Sequence, residues 1–200
     1  MNINIKRELL LPALQRANNV IERRQTIPIL SNVLLKCEAQ RIAFTGSDTE
    51  VEVVTFVEMG STAKKEVALP ARKLFDICRE LPENADMNLE LLADKAKIKS
   101  GRSRFTLALS SASEFPYIGK FDVKQTLTLS TSELRELIEK TDFAMATQDV
   151  RHYLNGLLLE ITPSNIRTVA TDGHRLAIMD KEKKSGIESD GHVIIPRKGV

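Results

Sequence analysis

The sequence predicts an α+β protein that contains two copies of one domain. Three segment pairs match in the same order, at offsets of 124, 124 and 126 residues: 30–36 (LSNVLLK) with 154–160 (LNGLLLE), 46–49 (GSDT) with 170–173 (ATDG), and 67–72 (VALPAR) with 193–198 (VIIPRK). A fourth pair, Glu8-Leu9 with Glu133-Leu134, has an offset of 125. Two unrelated α+β domains can share apolar runs, but the common order and spacing favour duplication. The period is too long for a solenoid repeat.

The first copy mixes short strands with two amphipathic helices. Leu10, Leu14 and Ala17 fall on one face of a helix predicted over 7–20, in which Pro12 indicates a late start or a bend. Pro70 opens a second helix that runs to residue 81. Strands are predicted at 2–5, 32–38, 41–47, 50–58, 66–69, 87–93, 95–100 and 104–110.

The second copy follows a connecting loop at 111–124 that contains Pro116 and Gly119. It opens with a predicted strand at 126–129. Ser130 then stands three residues before Glu133, the spacing of a capping box, and predicts a helix over 133–146.

Composition sets limits on the environment and the partners. The 200 residues carry a net charge of +2, which permits an acidic partner such as DNA but does not require one. Cys37 and Cys78 are far apart and outside any CxxC, which is typical of buried reduced thiols. The first residues lack the apolar core of a signal peptide, and no apolar run approaches the roughly 18 residues of a membrane span. A cytoplasmic protein with no membrane partner is expected.

Sequence motifs for catalysis are missing. There is no phosphate-binding loop, no strand-linked GxGxxG and no HExxH, and the three histidines lack metal-ligand spacing, so no catalytic residue, metal or cofactor is predicted. The densest polar cluster is 171–175 (TDGHR). Asp172-Gly173 is a strong turn signal, and the matching 46–49 lacks a histidine, which favours a shared turn over acid–base chemistry by Asp172 and His174.

Basic residues recur at matching positions of the two copies. Arg72-Lys73 and Arg197-Lys198 follow the matched prolines, and Arg23-Arg24 follows the first helix. A further cluster after the third helix contains Gln148, Arg151, His152 and Tyr153. A repeated unit that presents cations on the same element would form an extended positive surface. Such a surface suits a phosphate backbone and carries no sequence specificity.

Six runs closely resemble the signature segments of the beta subunit of bacterial DNA polymerase III. They are 70–79 (PARKLFDICR), 100–105 (SGRSRF), 148–151 (QDVR), 153–156 (YLNG), 168–176 (TVATDGHRL) and 196–200 (PRKGV), and the resemblance extends over the whole chain. It implies the DNA clamp (processivity) fold, in which repeated domains place antiparallel sheets outside and helices on the DNA side. In that family three domains form a chain, and two chains close a head-to-tail ring.

The resemblance also implies partners and site residues. The expected partners are double-stranded DNA, a second copy of a full-length chain, and DNA polymerase III and the clamp loader through clamp-binding peptides. The positions that match DNA-facing residues are Arg24, Arg72, Gln148, His152, Tyr153, Arg197 and Lys198, with His152 standing where the family often has Tyr. The positions that match the peptide pocket are Leu154, Thr171, Gly173, His174, Arg175 and Leu176. The positions that match the dimer interface are Lys73, Arg102, Arg104, Phe105 and Leu107.

Length is the main departure from the family. The expected organisation is a first clamp domain at 1–121 and a second at 125–200 that lacks its C-terminal part, with no third domain. The leading interpretation is a non-catalytic clamp subunit that tethers the polymerase to DNA. The alternative is a truncated or regulatory fragment that binds clamp partners without encircling DNA.

Overall fold

The protein is described from a computed structural model, which covers residues 1–22, 27–59, 64–116, 123 and 126–200. The chain divides into two compact units, Met1–Ile118 (unit 1) and Gly119–Val200 (unit 2). Each unit combines antiparallel sheets with helices. The predicted α+β class is confirmed.

Unit 1 contains eight strands and two α-helices within its described residues. The helices are α1 (Arg7–Val20) and α2 (Ala71–Glu80). The strands are β1 (Asn2–Lys6), β2 (Asn32–Cys37), β3 (Arg41–Ser47), β4 (Glu52–Glu58), β5 (Lys65–Pro70), β6 (Asp86–Leu91), β7 (Lys95–Ser100) and β8 (Ser103–Ala108). They form two antiparallel sheets in the orders β4-β3-β2-β5 and β1-β6-β7-β8.

The core of unit 1 lies between these sheets and the two helices. The apolar faces of α1 and α2 pack against each other, and α1 also packs on β3 and β4. Leu10, Leu74 and Phe44 are fully buried in this cluster. At one end, the Lys65 Nζ donates to the carbonyl oxygens of Leu91 and Leu92 at 3.1 and 2.8 Å, which ties β5 to the end of β6.

Pro12 does not delay the first helix, because α1 begins at Arg7 and contains Pro12 as an internal residue. The proline lacks the N–H that would reach the carbonyl of Glu8, and both residues lie on the exposed side of α1. Water can therefore satisfy that carbonyl. At α2, Pro70 immediately precedes the helix, close to its predicted position.

Unit 2 contains α3 (Thr131–Glu139) and one four-stranded antiparallel sheet among its described residues. The strands are β9 (Gly156–Ile161), β10 (Asn165–Thr171), β11 (Leu176–Glu182) and β12 (Gly191–Pro196), in the order β11-β10-β9-β12. Short 3₁₀ turns occupy Asp142–Ala144, His152–Asn155 and Arg197–Gly199.

Two predictions at the start of unit 2 are wrong. Residues 126–129 form no strand. Their counterpart in unit 1 is β1, which pairs with β6, but no described strand pairs with residues 126–129. The helix ends at Glu139 instead of 146, and Thr141, with φ −132°, leaves the helical conformation. The Thr141 hydroxyl donates to the Leu137 carbonyl at 2.9 Å, a local hydrogen bond that competes with helix continuation. The predicted Ser130–Glu133 capping box is confirmed.

The duplication holds element by element. Starting residues in unit 2 lie 124 positions after their counterparts for the first helix (131 and 7), the 3₁₀ turn (152 and 28) and three successive strands (156 and 32, 165 and 41, 176 and 52). The offset becomes 126 for β12 and β5 (191 and 65). The offset of 125 assigned from Glu8-Leu9 is therefore corrected to 124, which aligns Leu134 with Leu10.

The two cysteines are free thiols buried in unit 1. Burial, which disfavours the charged thiolate, is the main reason that the pKa of Cys37 and of Cys78 is raised to about 11. Both belong to the core cluster, as the sequence predicts.

Two ion pairs hold α3 to β11 and the residue that follows it. Glu133 Oε1 lies 2.7 Å from the Nζ of Lys183, and Glu136 Oε2 lies 2.8 Å from the Nζ of Lys181. The Lys183 hydrogen bond, followed by that from the Ser130 backbone, lowers the pKa of Glu133 to about 2.

Acid is expected to weaken this attachment in a defined window. The pKa of Glu133 is lower in the folded state than its ordinary 4.5, so its contribution to stability is complete above about 4.5 and is lost as the pH falls through about 2. Urea unfolding between pH 6 and pH 2 should show Glu133→Gln with a flatter pH dependence than the parent chain. Glu139→Gln, on the same helix, is the matched control and should keep the parental profile. Identical profiles for Glu133→Gln and the parent would contradict the assignment.

Candidate functional site

The start of α2 presents two cations to solvent. β5 ends at Pro70 and α2 begins at the next residue, so Arg72 and Lys73 lie in its first turn, where both are exposed. Neither side chain forms an ion pair with any residue in the described ranges. Their charges are therefore not neutralised by a neighbouring carboxylate of those ranges.

The matching point of unit 2 has the same chemistry. β12 ends at Pro196, and Arg197 and Lys198 occupy the 3₁₀ turn that follows, both exposed. Arg197 Nη1 donates to the Met145 carbonyl oxygen at 3.2 Å, which fixes the base of this turn. Each copy thus places cations directly after the corresponding edge strand. Arg24 lies outside the described residues.

Residues 148–155 form a tight loop that ends at β9. The Asp149 carboxylate accepts hydrogen bonds from Arg151, from its backbone N–H at 2.8 Å and its Nη2 at 2.9 Å. The Arg151 side chain is the first cause that lowers the pKa of Asp149 to about 2. Gln148, His152 and Tyr153 are exposed on this loop.

The polar cluster at 171–175 is a turn, as predicted, joining β10 to β11. Thr171 Oγ1 accepts from the N–H of Gly173 at 3.1 Å, and Asp172 Oδ1 accepts from the N–H groups of His174 and Arg175 at 2.9 and 3.0 Å. Gly173 has φ +87°, a conformation that favours glycine. Hydrogen bonds from the backbone N–H groups of His174 and Arg175, of which the first has the larger effect, hold the pKa of Asp172 below its ordinary value. The carboxylate organises the turn, which favours the structural interpretation over acid–base chemistry with His174.

Unit 1 repeats this turn. Ser47 Oγ accepts from the Thr49 N–H at 3.2 Å, and Asp48 Oδ1 accepts from the N–H groups of Glu50 and Val51 at 3.0 and 2.8 Å. Thr49, which stands 124 residues before Gly173, also has a left-handed backbone, with φ +80°. The common geometry identifies the turn as the feature that both copies keep.

The predicted pocket residues gather around this turn. Leu176 is 61% exposed, whereas Leu154 is only 8% exposed and lies beneath the surface. The guanidinium of Arg151 lies 3.3 Å from the position that a Cβ on Gly173 would occupy, so loop 148–155 touches the turn. Arg175 pairs with Asp172 at 3.0 Å, and its guanidinium carbon lies 5.6 Å from the centre of the Phe143 ring.

Sequence reasoning assigned no role to Phe143 or Asn155, and it counted Arg151 only as one of the basic residues after the third helix. Arg151 lies inside the run 148–151 that resembles the family, but only the fold shows its approach to Gly173. The side-chain amide of Asn155 forms two hydrogen bonds with the backbone of Asp149. No spacing or charge pattern marks either contact in the sequence.

The residues predicted for a dimer interface lie in unit 1. Arg102 and Arg104 are exposed at the start of β8, the edge strand of its sheet, and Phe105 is half-buried. Leu107 is 6% exposed and belongs to the core, so its side chain supports β8 from inside. Lys73 lies on α2, which is separated from β8 in the sequence by β6 and β7.

No three His, Cys, Asp or Glu side chains of the described ranges are grouped so that they could hold a metal ion. None of the helices in those ranges combines the length and apolar character that a membrane crossing demands.

Sequence relatives give a consistent picture. The chain is 47% identical over 201 residues to the beta sliding clamp of Pseudomonas putida, covering 100% of this chain and 55% of the relative. It is 42% identical over 206 residues to the beta sliding clamp of Escherichia coli strain K12, again covering 100% of this chain and 55% of the relative. The chain thus spans about half the length of the curated relatives that it matches.

Solved structures agree. The DNA polymerase III subunit beta from Pseudomonas aeruginosa superimposes with a TM-score of 0.91 at 46% identity, covering 100% of this chain and 54% of that chain. A Caulobacter crescentus beta sliding clamp gives a TM-score of 0.91 at 38% identity, covering 100% of this chain and 55% of that chain. The fold is therefore the sliding-clamp fold.

Family models match almost the whole chain. The model for the DNA polymerase III beta subunit, N-terminal domain, matches residues 1–119, and the model for the central domain matches residues 128–200. The chain therefore belongs to the DNA polymerase III beta subunit family.

Proposed function

We propose that this chain is part of a sliding clamp that encircles duplex DNA and tethers the replicative polymerase, without catalysing a reaction itself. Family membership and the names of the relatives support this proposal. A ring holds DNA by topology, so its contacts with the phosphates need only be weak and independent of sequence.

The observation that carries the proposal is the repeated placement of cations after edge strands. Arg72 and Arg197 are exposed at equivalent ends of two sheets, and neither has a carboxylate partner in the described residues. By contrast, Arg151, Arg167 and Arg175 are each paired with a carboxylate. Unpaired cations attract phosphate more strongly than neutralised ones, since no partner must first be displaced. Lys198, Gln148, His152 and Tyr153 extend the proposed contact set.

A second part of the proposal is peptide docking at the turn of unit 2. The exposed Leu176 and the shallowly buried Leu154 offer apolar contact, and Thr171, Gly173, His174 and Arg175 provide a polar rim. Apolar sites with a few placed polar groups suit short peptide motifs. The proposed ligands are the clamp-binding peptides of DNA polymerase III and the clamp loader.

A third part concerns assembly. β8 is an edge strand whose second side pairs with no described strand, and Arg102, Arg104 and Phe105 flank this edge. A strand edge can add a strand from another chain. In a chain of the relatives' length, this edge and Lys73 would close a homodimeric ring. The alternative, a fragment that binds clamp partners without encircling DNA, would need only the turn of unit 2.

The experiment is a measurement of DNA affinity against salt concentration. Fluorescence anisotropy with two short duplexes of unrelated sequence should give equal dissociation constants, on the order of 10⁻⁴ to 10⁻⁶ M for non-specific contact. Replacing Arg72 and Arg197 together by alanine should weaken binding to both duplexes. It should also reduce the slope of log K against log salt by about 1.8, because two phosphate contacts are lost.

Arg167→Ala is the matched control, since it removes one exposed cation that is already paired with Asp180 at 2.7 Å. It should change the slope far less than either Arg72→Ala or Arg197→Ala. A double variant that binds like the parent at every salt concentration would overturn the proposed DNA contact, as would a strong preference for one duplex.

A further inference from the structure

A single amide side chain holds the loop that carries three of the proposed DNA contacts. Asn155 is the last residue of the 3₁₀ turn before β9 and is half-buried. Its Nδ2 donates to the Asp149 carbonyl oxygen at 2.8 Å, and its Oδ1 accepts from the Asp149 N–H at 2.9 Å. Both backbone polar groups of one residue are thus held by one side chain.

These two hydrogen bonds between Asn155 and Asp149 are called the Asn155 bracket. The residue directly before Asp149 has an unusual backbone conformation. Gln148 has φ +59°, in the left-handed region that side-chain-bearing residues rarely adopt. Such a conformation persists only where the surrounding contacts determine it. The Asn155 side chain holds the peptide units on both sides of Asp149, and the first of these joins Gln148 to Asp149.

The other hydrogen bonds of the loop do not involve the Gln148 side chain. The Asp149 carboxylate pairs with Arg151, the Leu154 N–H donates to the Arg151 carbonyl at 2.9 Å, and the Ala146 N–H donates to the Leu154 carbonyl at 3.0 Å. The two hydrogen bonds formed by Asn155 are the described contacts that hold the residue directly after Gln148 from the far end of the loop.

We propose that Asn155 is a positioning residue for DNA contact: it holds Gln148 in its left-handed conformation and so directs that side chain toward the phosphate backbone. This inference rests on the proposed DNA contact. Asn155 is uncharged, so any effect of replacing it on DNA affinity acts through the position of the loop and not through a lost ion.

The test is the anisotropy titration of the 200-residue chain at low salt. Asn155→Ala should weaken binding severalfold with an unchanged salt slope, whereas Arg72→Ala should lower the slope by about 0.9. Partial unfolding would also lower the apparent affinity at an unchanged slope, so the double-mutant cycle and a folding control are needed to separate the two causes. Asn155→Gln provides a second variant, because it keeps both polar groups while its longer side chain misplaces the bracket, and it should weaken binding similarly.

A double-mutant cycle identifies the residue through which Asn155 acts. In a Gln148→Ala background, Asn155→Ala should have little additional effect, because the side chain that it positions is already absent. Circular dichroism at the assay temperature confirms that each variant is folded.

The outcomes separate the two proposals. If the Arg72 and Arg197 substitutions leave affinity and slope unchanged, the proposed DNA contact itself is wrong. If those substitutions weaken binding but Asn155→Ala and Asn155→Gln bind like the parent, the positioning role is wrong. It is also wrong if the effect of Asn155→Ala is undiminished in the Gln148→Ala background.

Discussion

Phe44→Ala is expected to destabilise unit 1 by about 3–5 kcal/mol, the usual cost of removing a fully buried phenyl ring from a core. Phe44 lies on β3, an interior strand of its sheet, and is 1% exposed. It belongs to the cluster formed between the two sheets and the helices. Its removal leaves a cavity in the middle of that cluster that the surrounding strands cannot close.

Hydrogen exchange followed by mass spectrometry would measure this effect separately in each unit. Peptides from β2 to β4 should lose protection in Phe44→Ala, while peptides from β9 to β11 keep theirs. Phe56→Ala is the control, because Phe56 is 49% exposed and its ring lies 4.2 Å from the Arg41 guanidinium carbon. That change should cost about 1 kcal/mol or less. Equal costs for the two substitutions would contradict the burial described for β3.

Gly46→Ala is expected to destabilise unit 1 by roughly 3 kcal/mol or more, although it adds only one methyl group. A Cβ on Gly46 would collide with the carbonyl oxygen of Ala17 and would lie 3.2 Å from Val20 Cγ2. Because the main obstacle is backbone, α1 would have to move away from β3. The core between them would then lose its close packing.

The duplication supplies the matched control. Ala170, which stands 124 residues after Gly46 on β10, carries a Cβ at the same position of unit 2 and is buried there. Ala170→Gly should therefore cost only about 1 kcal/mol, mainly from backbone entropy. Urea unfolding monitored by circular dichroism compares the two. A Gly46→Ala variant as stable as the parent would show that α1 does not approach β3 this closely.

Local sequence signals located most elements because they act over a few residues. The Ser130–Glu133 capping box, Pro70 before α2 and the Asp172-Gly173 turn each depend on neighbours in the chain, and each was predicted. The strand expected at 126–129 depends instead on a distant pairing partner, which local alternation cannot reveal.

Burial did not carry over from one copy to the other. Leu10 on α1, a helix that packs against α2 and the sheet, is 0% exposed, whereas its counterpart Leu134 on α3 is 42% exposed. No second α-helix packs on α3 in the described part of unit 2. A sequence match predicts the backbone of a repeat, whereas the environment of each side chain also depends on which elements pack against it.

The candidate site shows the same division. The exposed positions of Arg72, Arg197 and Lys198 followed from their place after matched prolines. The bracket between Asn155 and Asp149 could not be predicted, because it depends on a left-handed residue between two irregular segments. The functional roles assigned to these residues remain proposals for the experiments above.

The burial of Cys37 and Cys78 has a practical consequence for observing this protein. With pKa values near 11, only about one thiol in ten thousand is ionised at neutral pH, and thiolates are the species that react with maleimide dyes. A cysteine introduced at an exposed position outside the proposed sites, such as Ala93 in the turn between β6 and β7, would therefore be labelled selectively, without first replacing the two native cysteines. A dye attached there would report in single-molecule fluorescence whether the labelled chain makes the proposed contact with DNA.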